Sequence, residues 1–204
     1  VTAYDSVDLA LEAEIVGVDG FLVKPICNSV FFDTIISLFG FEVEKRKSAM
    51  VPRSRNKLLK PIRGARVLLV EDNEINQQVA IELLENICII VTAAWNGQDA
   101  VEKVKSAEFD LILMDIQMPV MDGYEATRII RDYFRHNGIS TPIVAMTAHA
   151  MAGDREKSLE AGMQDHVTKP IDPDELYQTL IRLIKPGQRP VPSHLLALRQ
   201  DESQ

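Results

Sequence analysis

Five side chains able to do chemistry stand where apolar runs end: Glu71 and Asp72 after VLLV, Asp115 after LILM, Thr147 after IVAM, and Lys169 after HVT. Set side by side as parallel strands, those runs would share one edge, and open α/β sheets bind their ligands outside the carboxyl ends of the strands. Three carboxylates brought together there repel one another unless one takes a proton or a cation neutralises the group. A hard divalent cation suits them: Mg²⁺ takes one or two carboxylates, keeps several waters and shares phosphate oxygens, and Mn²⁺ takes similar donors. Asp72 and Asp115 are the expected direct ligands, with Glu71 holding a coordinated water. Lys169 adds a cation and Thr147 a hydroxyl, both able to hold phosphoryl oxygens. The set suits phosphoryl transfer to a carboxylate, with Asp115 attacking in line and the protein supplying position and charge.

Each residue taken singly has a plainer reading. A lone acid at a strand end marks the chain's arrival at water. Glu71 and Asp72 alone could begin a loop and cap the helix from Glu74, Lys169 before Pro170 is a common turn pairing, and Thr147 could satisfy backbone. Met118, Pro119, Asp122 and Gly123 read as turn and capping residues rather than reactive ones. Only the group together points to a site.

The elements that must position them are legible in the pattern. From Arg66 onward, short aliphatic runs alternate with segments of helical period: RVLLV and EINQQVAIELLEN, IIVTA and GQDAVEKVKSA, LILM and GYEATRIIRDYFRH, PIVAM and MAGDREKSLEA, HVTK and PDELYQTLIRLI. Strands joined by crossover helices form a parallel sheet covered on both faces, which is why such strands are continuously apolar. Asp122 with Glu125, and Asp172-Pro173 with Glu175, have the arrangement of helix N-termini, and Gly138 and Gly162 fall at C-terminal caps.

The start of the chain repeats its end. VTAYDSVDLALEAEIVGVDGFLVKPI at 1–26 runs without a gap in step with MTAHAMAGDREKSLEAGMQDHVTKPI at 146–171, matching Thr2 to Thr147, Gly17 to Gly162 and Lys24-Pro25 to Lys169-Pro170. The segment SVFFDTIISLF then supplies an amphipathic helix closed by Gly40. Four parts follow: a partial α/β fragment over 1–43, a basic linker over 44–65, a complete domain over 66–185, and a Pro-rich linker or tail over 186–204.

Composition narrows the classes. The 204 residues are 46% hydrophobic and 25% charged with a net charge of −8, which excludes disorder throughout and argues against nucleic acid as the partner of the main body. Cys27 and Cys88 lie in apolar surroundings with no metal or disulfide spacing, and read as core. No apolar run approaches the roughly 18 residues of a membrane-spanning helix, so a cytoplasmic location is expected, with the parent protein anchored, if at all, through segments outside this stretch.

The four fragments LLVEDNEINQ, ILMDIQMPVMDG, AMTAHA and VTKPID, in that order, resemble the response-regulator receiver domain of two-component signalling over residues 66–184. The resemblance implies a doubly wound (βα)₅ sheet of flavodoxin-like form, an acyl phosphate on Asp115, Mg²⁺ dependence, a cis peptide between Lys169 and Pro170, and a metal site completed by the backbone carbonyl of Gln117. It implies a switch in which Thr147 moves toward the phosphoryl group and a ring on the fifth strand turns inward; here that position is His166, where the family more often has Tyr or Phe, and the imidazole either makes the switch pH-sensitive or is an exposed strand-edge histidine, the reading favoured here. The resemblance also implies that Gln117 and His149 flank the line of a hydrolytic water, Gln117 with an amide able to orient it and His149 bulky enough to hinder it, so an acyl phosphate of intermediate lifetime is expected. Trp95, at an exposed turn, is a candidate partner contact or fills a local gap.

The 1–43 segment resembles the end of another receiver, lacks the acidic pair and the acceptor, and would bury Phe31, Phe32, Ile35 and Phe39 against the intact domain or in a homodimer. Tandem receivers without an effector domain resemble part of a hybrid sensor histidine kinase; no ATP-binding lobe or histidine-bearing helix pair is visible, so the expected activity is self-phosphorylation and autodephosphorylation at most. The implied partners are a phosphohistidine donor and a histidine phosphotransfer domain. Rival readings are a pseudo-receiver that signals by binding alone, and a metal-dependent phosphatase, against which Gln117 is no acid.

Overall fold

The structure is a computed structural model that describes residues 57–148 and 152–197, excepting the side chains of 152–154 and of 197. Five strands alternate with helices: β1 Arg66–Val70, α1 Glu74–Glu85, β2 Ile90–Ala94, α2 Gly97–Ser106, β3 Leu111–Asp115, α3 Gly123–Asn137, β4 Ile143–Thr147, α4 Ala152–Ala161, β5 Asp165–Thr168, and α5 Pro173–Leu183, with a short α6 at Ser193–Ala197. All pairings are parallel and the strand order is β2-β1-β3-β4-β5, so the order reverses between β1 and β3. That reversal opens a crevice at the carboxyl ends of these two strands, where the crossovers leave to opposite faces.

The apolar runs are continuous because both faces of the sheet are covered. Val67, Leu69, Leu111 and Leu113 pack with Ala80 and Leu84 of α1 and Leu176 and Leu180 of α5. Leu68, Val70, Ile112 and Met114 point the other way, onto Ala100 and Val104 of α2 and Ala126 and Ile130 of α3. Period-2 alternation along one strand therefore feeds two cores.

Helix ends follow local chemistry. Asp122 caps α3 and Asp172 caps α5 through side-chain oxygens, and Gly138 ends α3 in the left-handed conformation. The cap of α1 is Asn73, whose side chain accepts from the N–H groups of Ile75 and Asn76, and not the acidic pair before it.

The domain extends past both expected linker boundaries. Leu59 and Ile62, in the presumed basic linker, are core members beside α1 and α5. In the presumed tail, Gly187 N–H donates to the Pro61 carbonyl at 2.9 Å, Arg189 pairs with Asp110 at 2.7 Å, and Leu195 is 1% exposed. Isolated apolar residues among prolines and charges have no period to betray them, so their burial depends on the tertiary fold. Cys88 is buried, as its apolar surroundings suggest, while Cys27 and the whole 1–43 repeat lie outside the described residues.

Candidate functional site

The carboxyl ends of β1, β3 and β4 and the loop after β5 converge on one open cavity of about 720 Å³ whose walls include Glu71, Asp72, Asp115, Gln117, Thr147 and Lys169. Glu71 enters it from a backbone held at both groups: its N–H donates to the Ala94 carbonyl at 3.0 Å, and its carbonyl accepts the Gln77 side-chain amide at 3.0 Å. Its carboxylate is almost wholly buried, whereas Asp72 is exposed. Asn76, on the first turn of α1, donates to Glu71 Oε1 at 3.0 Å.

Asp115, the last residue of β3, is 5% exposed. Its Oδ1 accepts the Gln117 backbone N–H at 3.2 Å, and its Oδ2 accepts from Lys169 Nζ at 2.6 Å. The start of α3 presses against its backbone: a Cβ placed on Gly123 would stand 2.1 Å from the Asp115 carbonyl oxygen. Gly123 is therefore a close-approach residue as well as a turn residue.

Lys169 reaches the site from a backbone whose N–H donates to the Thr147 carbonyl at 2.7 Å, followed by a cis bond to Pro170. Its ammonium also meets Glu71 Oε2 at 2.5 Å. Burial pushes the Asp115 carboxyl up, the Lys169 hydrogen bond and charge pull it down, the Glu71 charge pushes up again, and the net is above the usual aspartate range. Burial works against the Lys169 ammonium, yet hydrogen bonds and charge from Asp115 and Glu71 outweigh it and hold its pKa above the ordinary lysine value. At Asp115 burial outweighs one lysine, whereas at Lys169 two acids outweigh burial.

Oxygens of Glu71, Asp72 and Asp115 all lie within 4.8 Å of one another. In their ionised forms, three carboxylates against one ammonium leave an excess of two negative charges, and the donors are hard oxygens. The residues present therefore fit a divalent cation of the Mg²⁺ kind.

The remaining expected site residues fare differently. His166 lies on β5, outside the cavity walls, with its ring about a quarter exposed at 28% and Nδ1 3.8 Å from Asp165 Oδ1. His149 lies outside the described residues. Trp95 is 49% exposed, which rules out gap filling, and it does not line the cavity. Lys157 of α4 does line it, as does Asn76. The signal for Asn76 was the spacing: side chains in a first helical turn lean back toward the N-terminus, here toward the end of β1.

A doubly wound sheet with an acidic crevice at its switch point and a half-buried lysine opposite defines an α/β class with a charged site at the carboxyl ends of its strands. The model of the response regulator receiver domain matches residues 67–181, and the chain belongs to that family. It is 39% identical over 161 residues to Histidine kinase 1 of Arabidopsis thaliana and 47% identical over 120 residues to Hybrid signal transduction histidine kinase I of Dictyostelium discoideum, covering 63% and 56% of this chain. The matches span only 13% and 7% of those relatives. Among solved structures, a receiver domain of the sensor histidine kinase PA1611 from Pseudomonas aeruginosa, with magnesium in its active-site cleft, is 45% identical with a TM-score of 0.54, covering 59% of this chain and 97% of that one. The Saccharomyces cerevisiae complex of the histidine phosphotransfer protein Ypd1 with the Ssk1 receiver domain gives 36% identity and a TM-score of 0.57, over 59% of this chain and 89% of that one. The chain is thus a receiver domain of two-component signalling with hybrid histidine kinases among its relatives, and no helix among the described residues is long and apolar enough to cross a membrane.

Proposed function

We propose that Asp115 accepts a phosphoryl group from a phosphohistidine in a Mg²⁺-dependent step of a phosphorelay. The observation that carries this reading is the meeting of Glu71, Asp72 and Asp115 with Lys169 in one open cavity. An Asp115 oxygen forms the bond to phosphorus as the phosphorus–nitrogen bond of the donor breaks, and the electron pair of that bond stays on the imidazole. Lys169, already on Oδ2, follows the charge onto the phosphoryl oxygens, and the Thr147 hydroxyl donates to one of them. Asp72, Asp115 and the Gln117 carbonyl would hold Mg²⁺ with Glu71 behind them, and the bound ion neutralises charge on the transferring group. The Gln117 side-chain amide orients the water that later hydrolyses the acyl phosphate.

Partner and parent follow from the surroundings of the cavity. Ile75 and Val79 stand one turn apart on α1, 69% and 40% exposed, beside Asn76 at the rim. An apolar pair at the mouth of a charged site is the anchor a docking helical phosphotransfer domain needs. The 1–43 repeat resembles residues 146–184 of the intact domain, and the hybrid histidine kinases among the relatives support a parent of that kind.

The test is incubation with acetyl phosphate and Mg²⁺ followed by intact mass. Wild type gains one phosphoryl group and Asp115→Asn gains none. No adduct on wild type would make the chain a binding module, and turnover of external phosphomonoesters would make it a phosphatase.

A further inference from the structure

The amide of Asn76 and the ammonium of Lys169 divide the Glu71 carboxylate between them, at 3.0 Å on Oε1 and 2.5 Å on Oε2. A glutamate carboxylate rotates in a broad well about its last torsion, so two donors fixed on opposite oxygens are needed to hold its plane. Lys169 alone does not suffice, because it fixes only one of the two oxygens and is shared with Asp115 at 2.6 Å. Asn76 itself is fixed independently of the site, since its backbone N–H donates to the Asn73 cap at 3.1 Å in the first turn of α1. Gln77, the next residue, pins the Glu71 carbonyl. The segment EDNEINQ thus clamps Glu71 at main chain and side chain from one helical turn.

We propose that Asn76 is a positioning residue for the divalent cation and hence for phosphoryl transfer, acting through Glu71; this rests on the metal-dependent reading above. Removing its donor leaves Oε1 of a buried carboxylate unpaired and free to turn toward Asp115, which raises repulsion and spoils the oxygen presented to the ion. Groups that orient metal-binding side chains from behind typically change metal affinity 10- to 100-fold when removed.

The experiment uses the full chain with Asn76→Ala and Asn76→Gln. Alanine suits an exposed helical first turn, so circular dichroism is expected to match wild type, while the unpaired Glu71 oxygen lowers the melting temperature in chelator by a few degrees at most. Mg²⁺ titration by calorimetry is expected to show about tenfold weaker binding for Asn76→Ala, with Asn76→Gln, which keeps an amide, recovering most of the loss. The phosphorylation rate at saturating Mg²⁺ is expected to return close to wild type, placing the effect in metal requirement. Mg²⁺ affinity within twofold of wild type in Asn76→Ala would overturn the proposal, and so would an Asn76→Gln variant that loses as much affinity as Asn76→Ala, or circular dichroism in chelator that shows Asn76→Ala losing helix. Wild type that neither binds Mg²⁺ nor forms the Asp115 adduct would instead defeat the functional reading itself.

Discussion

Lys169 Nζ lies 2.6 Å from Asp115 Oδ2 and 2.5 Å from Glu71 Oε2, so one ammonium is shared by two buried carboxylates from different strands. That sharing ties the fold's stability to its reactive site. Removing the ammonium leaves two acids facing each other, and in the absence of a divalent cation protonation is what relieves them.

Lys169→Met is therefore expected to lower stability near neutral pH by about 3 kcal/mol, the scale for breaking a buried pair on one side. The penalty should shrink near pH 5, because the orphaned carboxyls then take up protons on folding. Urea unfolding at the two pH values measures it; an equal loss at both would show that the ammonium acts by packing alone.

Asp115→Asn is expected to have the opposite effect. The native pKa of Asp115 is raised above its ordinary value, so between the two values the folded state binds more protons than the unfolded one and stability falls as pH rises through that window. At neutral pH the wild type carries the whole cost of ionising Asp115. Asn removes it and leaves Lys169 to Glu71, so the variant melts a few degrees higher at pH 7, and the gain disappears below the ordinary aspartate pKa of about 3.9.

Asp72 is the exposed member of the acidic trio, so it buries little that the fold depends on. Asp72→Asn should thus melt like wild type in chelator but lose the rise that Mg²⁺ gives. For wild type that rise corresponds to about 2.7 kcal/mol at a hundredfold excess over the dissociation constant. Thermal melts with and without the ion separate the two contributions.

How much of this was legible before the structure depended on whether a residue's role is set locally. Strands buried on both faces must be apolar throughout, so RVLLV and LILMD were readable as sheet, and the acids at their ends followed once the sheet was parallel. Caps are local too, and Asp122 and Asp172 were readable, but in EDN three successive residues can cap, and Asn73 was chosen by where the chain leaves β1. Lys157, Leu59, Ile62 and Leu195 were not readable, because each meets its partners across long sequence distances and none repeats at a helical or strand period.

Gly123 shows how tightly the acceptor is held. A methyl group there would meet the Asp115 carbonyl oxygen at 2.1 Å and Ile116 Cα at 3.0 Å, all of it backbone with no rotamer to move. Gly123→Ala is expected to lose 1–3 kcal/mol or slightly more, as overpacking does, and to slow phosphorylation by shifting Asp115 from Lys169. If the variant melts and phosphorylates like wild type, the approach of α3 to β3 is looser than these distances describe.

At the pole opposite the cavity, the two flanking segments close on each other and on the core. Gly64 N–H donates to the Cys88 carbonyl at 2.7 Å, Gly187 N–H to the Pro61 carbonyl at 2.9 Å, and the Cys88 thiol meets the Leu195 carbonyl at 3.7 Å. Arg189 adds a bond to Asp110, whose other oxygen accepts the Arg66 N–H at 2.8 Å at the start of β1. Leu195 is the apolar anchor, and truncating a buried leucine costs about 2–5 kcal/mol when the site cannot collapse. The helix carrying it, α6, is only five residues long, so part of that cost is relieved by local unfolding and Leu195→Ala is expected near the low end. Fraying uncovers Cys88. In a Cys27→Ser background, Leu195→Ala should therefore label faster with a thiol reagent than the unsubstituted leucine, while phosphorylation of Asp115 at the far pole is unchanged. Equal labelling rates would mean that Cys88 is shielded by the α1–β2 turn alone and that residues beyond Arg189 contribute nothing to the fold.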